Sequence, residues 1–121
     1  MAVALVVDDS RAVRMLLSKT LTGLGYDVTQ ASNGQEALEI LAGPGSSCEL
    51  ILTDWNMPGK TGLELIHEIR ELDPRVPIVM ITTEAEKSRV LEAIQAGVSD
   101  YLIKPFTTES LRSKLEPFTR V

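Results

Sequence analysis

Two hydrophobic periods alternate along the chain. Val3–Val7 is an unbroken apolar run of strand length, and Val13, Leu16, Leu17, Leu21 and Leu24 then recur at helical spacing. Gly25 follows as a natural helix stop. Val28–Ala31 reads as a short second strand. Asn33 can cap a helix carrying Ala37, Leu38 and Leu41, which ends at Gly43-Pro44-Gly45. Leu50–Thr53 is a third strand, followed by a helix marked by Leu65, Ile66, Ile69 and Leu72 and stopped at Asp73-Pro74. Pro77–Ile81 is a fourth apolar run. Val90, Leu91, Ile94 and Val98 mark a fourth helix ending near Gly97, and Tyr101–Ile103 a fifth strand. Leu111, Leu115 and Phe118 mark the last helix, with Pro117 near its end.

These are five βα units. Strict alternation, with strands apolar on both faces, predicts an α/β fold: a five-stranded parallel sheet with helices on both faces, doubly wound and flavodoxin-like. There is no internal repeat, low-complexity tract or long linker. The 121 residues suit one domain spanning 1–121, with no output domain expected after the last helix.

Composition narrows the function. The chain is 44% hydrophobic and 24% charged, as expected of a globular protein with a real core. Its net charge of −5 disfavours direct binding to nucleic acid or to an anionic membrane, both of which need a basic patch. Cys48 is the single cysteine, so no intramolecular disulfide forms; with no signal peptide, a reducing, cytoplasmic location is expected. The apolar start runs directly into Asp8-Asp9 and is far too short to span a membrane.

One stretch, TDWNMPGKTG at 53–62, carries two candidate chemistries. Gly59-Lys60-Thr61 looks like the end of a phosphate-binding P-loop. That motif, G-x-x-x-x-G-K-[ST], requires glycine at 54, where this chain has Asp. A carboxylate there would repel phosphates, so 59–62 is read as a turn, with Thr61 a candidate cap for the next helix.

In open α/β sheets, ligands bind beyond the carboxyl ends of the strands. Strand 1 ends in Asp8-Asp9, strand 3 in Asp54, strand 4 in Thr82-Thr83 and strand 5 in Lys104-Pro105. The strand order 2-1-3-4-5 makes those four ends adjacent, at steps of about 4.8 Å. Asp54 then lies between an acidic pair and a hydroxyl-plus-amine side. At ~5 Å and an effective dielectric of 20, each like-charged pair costs about 3 kcal/mol. A divalent cation relieves that cost. All-oxygen ligands favour Mg2+, Mn2+ or Ca2+ over zinc, and few protein ligands suit Mg2+ carrying a phosphate. A phosphoryl group on Asp54 would touch the metal on one side and Thr82 and Lys104 on the other. Charge neutralised from both sides is what phosphoryl transfer requires, and an aspartate can be the nucleophile.

With V-D-D-S at 7–10, T-D-W-N-M-P-G at 53–59, I-T-T-E-A at 81–85, A-G-V-S-D-Y at 96–101 and K-P-F at 104–106, the chain resembles response-regulator receiver domains of two-component signalling over essentially its whole length. The order 2-1-3-4-5 is characteristic of that family, so the two arguments are not independent. The resemblance implies that Asp54 is the phosphoacceptor. It makes Asp9 a direct Mg2+ ligand (Mn2+ an alternative), Asp8 a ligand largely through water, and the Asn56 backbone carbonyl the last protein ligand. Thr82 and Lys104 would bind phosphoryl oxygens. Tyr101 would be the aromatic switch, turning inward when Thr82 moves. The Lys104-Pro105 bond is expected to be cis.

Trp55-Asn56-Met57-Pro58 is similar to the stand-alone chemotaxis regulators. Asn56 and Glu84 match a pair that tends in this family to accompany fast self-dephosphorylation. The resemblance implies a sensor histidine kinase as donor. It also implies an output partner, such as the flagellar motor switch, on the face of the fourth helix, fifth strand and fifth helix. The unphosphorylated protein is expected to be a monomer. Thr61 stands where the family often has Asp, which changes only a cap. The fifth helix carries only Arg112 and Lys114 and meets Pro117 early, leaving a less basic partner face than in the enteric chemotaxis regulator.

An aspartyl-phosphate phosphatase would share the nucleophile and metal, but it needs a substrate-covering cap and no insertion here is long enough. A receiver excised from a longer transcriptional or enzymatic regulator is the other alternative. Cys48 reads as a semi-buried filler, His67 as a solvated surface residue, and Trp55 as a partly exposed lid beside the site.

Overall fold

The computed structural model describes residues 3–43, 48–55, 62–83 and 90–118. The elements follow in strict alternation: β1 (Val3–Val7), α1 (Arg11–Gly23), β2 (Asp27–Ala31), α2 (Gly34–Ala42), β3 (Leu50–Asp54), α3 (Gly62–Leu72), β4 (Ile78–Thr83), α4 (Val90–Ala96), β5 (Asp100–Lys104) and α5 (Thr108–Leu115). A 3-10 turn, Glu116–Phe118, follows α5. The strands form one sheet in the order β2-β1-β3-β4-β5, and all four pairings are parallel.

The continuous apolar runs have a simple cause: β1, β3 and β4 are buried on both faces, whereas the edge strand β2 is largely exposed. Alternate residues fall into two cores. Leu5, Val7, Ile51, Ile78 and Met80 pack with Leu65, Ile66 and Ile69 of α3 and with Val90 and Ala93 of α4. Ala4, Val6, Leu50, Leu52, Val79, Ile81 and Leu102 pack with Leu17 and Leu21 of α1 and with Leu111 and Leu115 of α5. At roughly 1.5–3 kcal/mol per large apolar side chain buried, the two layers supply the main favourable term.

Local chemistry sets the boundaries. Ser10 caps α1 by accepting from the Val13 amide, and Asn33 caps α2 by accepting from the Glu36 amide at 2.8 Å. Gly25 (φ 99°) and Gly97 (φ 117°) follow α1 and α4 in the left-handed region that glycine enters without strain. Two expectations are corrected. The last helix does not reach Phe118: Pro117 has no amide to donate, and the chain tightens into the 3-10 turn. The Tyr26 hydroxyl then ties that turn down by donating to the Phe118 carbonyl at 2.7 Å. Leu91 and Ile94, expected in an inward stripe, are 64% and 48% exposed, because Val90 and Ala93 take the core-facing positions.

Candidate functional site

The pairing register carries the polar strand ends to one edge. Val7 pairs with Thr53, so Asp8 follows at the level of Asp54, and Asp54 itself pairs with Ile81. β4 runs two residues beyond its apolar run, with Thr82 opposite Ile103 and Thr83 opposite Lys104. Asp54 and Lys104 are therefore the last residues of paired strands and Thr82 the last but one, where the backbone is held by the ladder, and none is a member of a loop.

Asp8 and Asp54 are 1% and 6% exposed, while Asp9 is exposed. Each of the three offers a carboxylate oxygen, and these oxygens all lie within 4.8 Å of one another. Lys104 Nζ stands 3.3 Å from Asp54 Oδ1 and 3.7 Å from Asp8 Oδ2. Asp8 Oδ1 accepts from the Ser10 amide at 2.8 Å. Its Oδ2 is buried and, among the described residues, has no hydrogen-bond partner. Burial pushes the Asp8 carboxyl up from its ordinary value. The Ser10 amide and the Lys104 charge pull it down, and the neighbouring Asp9 pushes it up again. A buried, orphaned carboxylate oxygen within a cluster of three acids fits a hard divalent cation, which takes oxygen ligands and offsets like charge. Asp8, Asp9 and Asp54 are the side chains that could hold it.

Thr82 is 1% exposed, and its hydroxyl donates to the Thr83 carbonyl at 3.3 Å. By strand alternation it shares a sheet face with Met80, and Tyr101, paired with Met80 across the ladder, packs against the same core. Tyr101 is half-buried, with Lys114 Nζ 5.1 Å from its ring centroid. Lys114 also reaches Asp100 Oδ1 at 3.1 Å. The Lys104-Pro105 peptide is cis.

Asp8, Asp9, Asp54 and Lys104 are thus brought together, with Thr82 one strand step away. Asn56, Glu84, Thr61 and the Gly59-Lys60-Thr61 turn lie outside the described residues. Trp55 is a correction. It is 4% exposed, a core residue and no lid. Alternation turns it away from Asp54 and under α3, where Gly62 sits against the ring and donates its amide to the Trp55 carbonyl at 3.2 Å. His67 is exposed, and Cys48 is partly buried beside strand β3 with its thiol against the Leu50 carbonyl, as expected. Burial holds the Cys48 thiol above its usual range. Sequence reasoning missed Arg14, whose Nη1 donates to the Asp8 carbonyl at 2.7 Å. The available signal was a cation placed in the first turn of a helix.

The family model for the response regulator receiver domain matches residues 4–116. The chemotaxis protein CheY1 of Helicobacter pylori is 47% identical over 116 residues, covering 93% of this chain and 92% of that protein. The chemotaxis protein CheY of Pseudomonas aeruginosa is 40% identical over 121 residues, covering 97% and 96%. Among solved structures, the chemotaxis response regulator CheY4 of Vibrio cholerae superimposes with a TM-score of 0.87 at 36% identity, over 98% of each chain. The acid cluster, the strand-end lysine and these likenesses agree, and the chain belongs to the response regulator receiver domain family of two-component signalling proteins.

Proposed function

We propose that this chain is a phosphorylation-switched signalling domain of the chemotaxis type, with Asp54 as phosphoacceptor. The observation that carries the reading is the position of Asp54: nearly buried, at a strand end, with Lys104 3.3 Å away and two further acids within 4.8 Å. An Asp54 oxygen attacks phosphorus, the bond from phosphorus to the donor's histidine nitrogen breaks, and that nitrogen keeps the electron pair and takes a proton. Asp8, Asp9 and Asp54, with the Asn56 carbonyl, would hold Mg2+ or Mn2+. When bound, the cation supplies positive charge to the phosphoryl oxygens. Lys104 supplies it from the other side, and the Thr82 hydroxyl donates to a further oxygen. Attack of water on the same phosphorus, with Asn56 and Glu84 tuning its rate, breaks the bond from phosphorus to the Asp54 oxygen, releasing inorganic phosphate and returning the free carboxylate. The domain catalyses only these reactions of its own carboxylate.

Phosphorylation shifts an existing equilibrium between two conformations. Thr82 moving toward the phosphoryl group vacates space on the face that it shares with Tyr101, and Tyr101 turns in. The α4–β5–α5 surface then binds its output partner, a protein such as the flagellar motor switch. Leu91 and Ile94, exposed one turn apart on α4, give that surface an apolar centre. The phosphodonor is a sensor histidine kinase in the cytoplasm, and the unphosphorylated domain is a monomer. Among the described residues no helix is long and apolar enough to cross a membrane.

The cation site is tested by titrating MgCl2 while following the fluorescence of Trp55, the single tryptophan and the neighbour of Asp54. Wild type should respond saturably, and Asp54→Asn should respond weakly or not at all. An equal response in both would refute the site.

A further inference from the structure

The turn carrying the acidic pair is fixed atom by atom. The Asp8 amide donates to the Ala31 carbonyl at 3.1 Å, and Asp8 Oδ1 accepts from Ser10. The Asp8 carbonyl accepts from Arg14 Nη1 at 2.7 Å, while Arg14 Nε donates to Gln30 Oε1 at 3.2 Å. Every polar atom of Asp8 is thereby held by a hydrogen bond except Oδ2, which is buried and faces the Lys104 ammonium at 3.7 Å. Arg14 breaks a local rule to make this contact. A cation in the first turn opposes the helix dipole, and α1 has no acid in that turn to offset it. A residue that violates local preference needs a compensating gain elsewhere. The guanidinium obtains it by reaching back over the helix start to a backbone carbonyl, a charge-assisted bond stronger than a neutral one.

We propose that Arg14 is a positioning residue for the cation site: by holding the Asp8 carbonyl it keeps the acidic turn from spreading under its own repulsion, so that Asp8 and Asp9 stand ready beside Asp54. It acts through Asp8 and touches neither cation nor phosphoryl group. The inference rests on the cation-binding reading above. Partners that orient ligands from behind are typically worth roughly 10–100-fold in metal affinity.

Calorimetric titration with MgCl2 tests it, alongside thermal midpoints measured in chelator. Arg14→Met keeps the apolar stem and removes both hydrogen bonds. It should weaken Mg2+ binding about tenfold or more while remaining folded. Arg14→Lys, which retains one donor for the carbonyl, should stay within a few-fold of wild type, and it provides the comparison if Arg14→Met does not fold. Gln30→Ala removes only the exposed half of the contact and should leave affinity unchanged. If Arg14→Met lowers the chelated midpoint yet binds Mg2+ as wild type does, Arg14 is structural only and the inference fails. A loss in Gln30→Ala or Arg14→Lys as large as in Arg14→Met also overturns it, because packing would then be responsible. Absence of Mg2+ binding by folded wild type defeats the cation-site reading itself, and the inference with it.

Discussion

Asp8 is held in a place where its charge is costly. Its folded carboxyl titrates above the ordinary value, mainly through burial. For an acid with a raised pKa, the native state binds the proton more tightly than the unfolded chain. Its contribution favours folding at low pH and is lost as pH rises through the raised value. Asp8→Asn should therefore unfold at a higher temperature than wild type in chelator at neutral pH. The gap should close as the solution is acidified. Mg2+ should stabilise wild type and not the variant; paired thermal scans across pH, with and without Mg2+, check all three. Gly62 makes a second residue-scale case. A Cβ there would lie 2.9 Å from the Trp55 ring and 3.0 Å from its backbone. Backbone cannot yield, so Gly62→Ala should cost about 1–3 kcal/mol by urea denaturation. Neither fact was readable beforehand. A strand buried on both faces gives no polar–apolar alternation, so Trp55 could not be assigned to a side.

At the scale of elements, α4 has an anchored end and an exposed face. Arg70 of α3 donates to the Gly97 carbonyl through Nε at 3.1 Å and Nη2 at 2.7 Å, and to the Asp73 carbonyl through Nη1 at 3.2 Å. One guanidinium thus joins the ends of two helices. Hydrogen bonds from a charged group are worth about 1.5–3 kcal/mol. Arg70→Ala should accordingly speed amide hydrogen exchange at Ala96, Gly97 and Val98 well beyond any change in α1. Equal exchange in α1 and α4 would mean that the clamp is merely part of global stability. The existence of all ten elements was legible, because helical and strand periods differ and because Gly25, Asn33 and Gly97 mark real ends. The inward face of α4 was not. Leu91 and Ile94 fit a helical stripe as well as Val90 and Ala93 do, and only packing against α3 and the sheet decides between them.

The whole molecule places four strand ends beside one another, and that placement is what the sequence made most visible. Asp8, Asp9, Asp54, Thr82 and Lys104 are far apart in the chain, yet each closes an apolar run, and a parallel sheet delivers all such ends to one edge. What stayed hidden was the support around them: Arg14 beneath Asp8, and Lys114 over Tyr101. Those contacts depend on how helices pack on strands and leave no periodic trace. The central claim is that this edge makes Asp54 a phosphate acceptor. The direct measurement is to incubate the folded protein with Mg2+ and acetyl phosphate, reduce the acyl phosphate with borohydride, and locate the modified residue by peptide mass spectrometry. Modification should appear at Asp54 alone, and should disappear in chelator and in Asp54→Asn. Modification at another carboxylate, or none in folded wild type with Mg2+ present, would contradict the account.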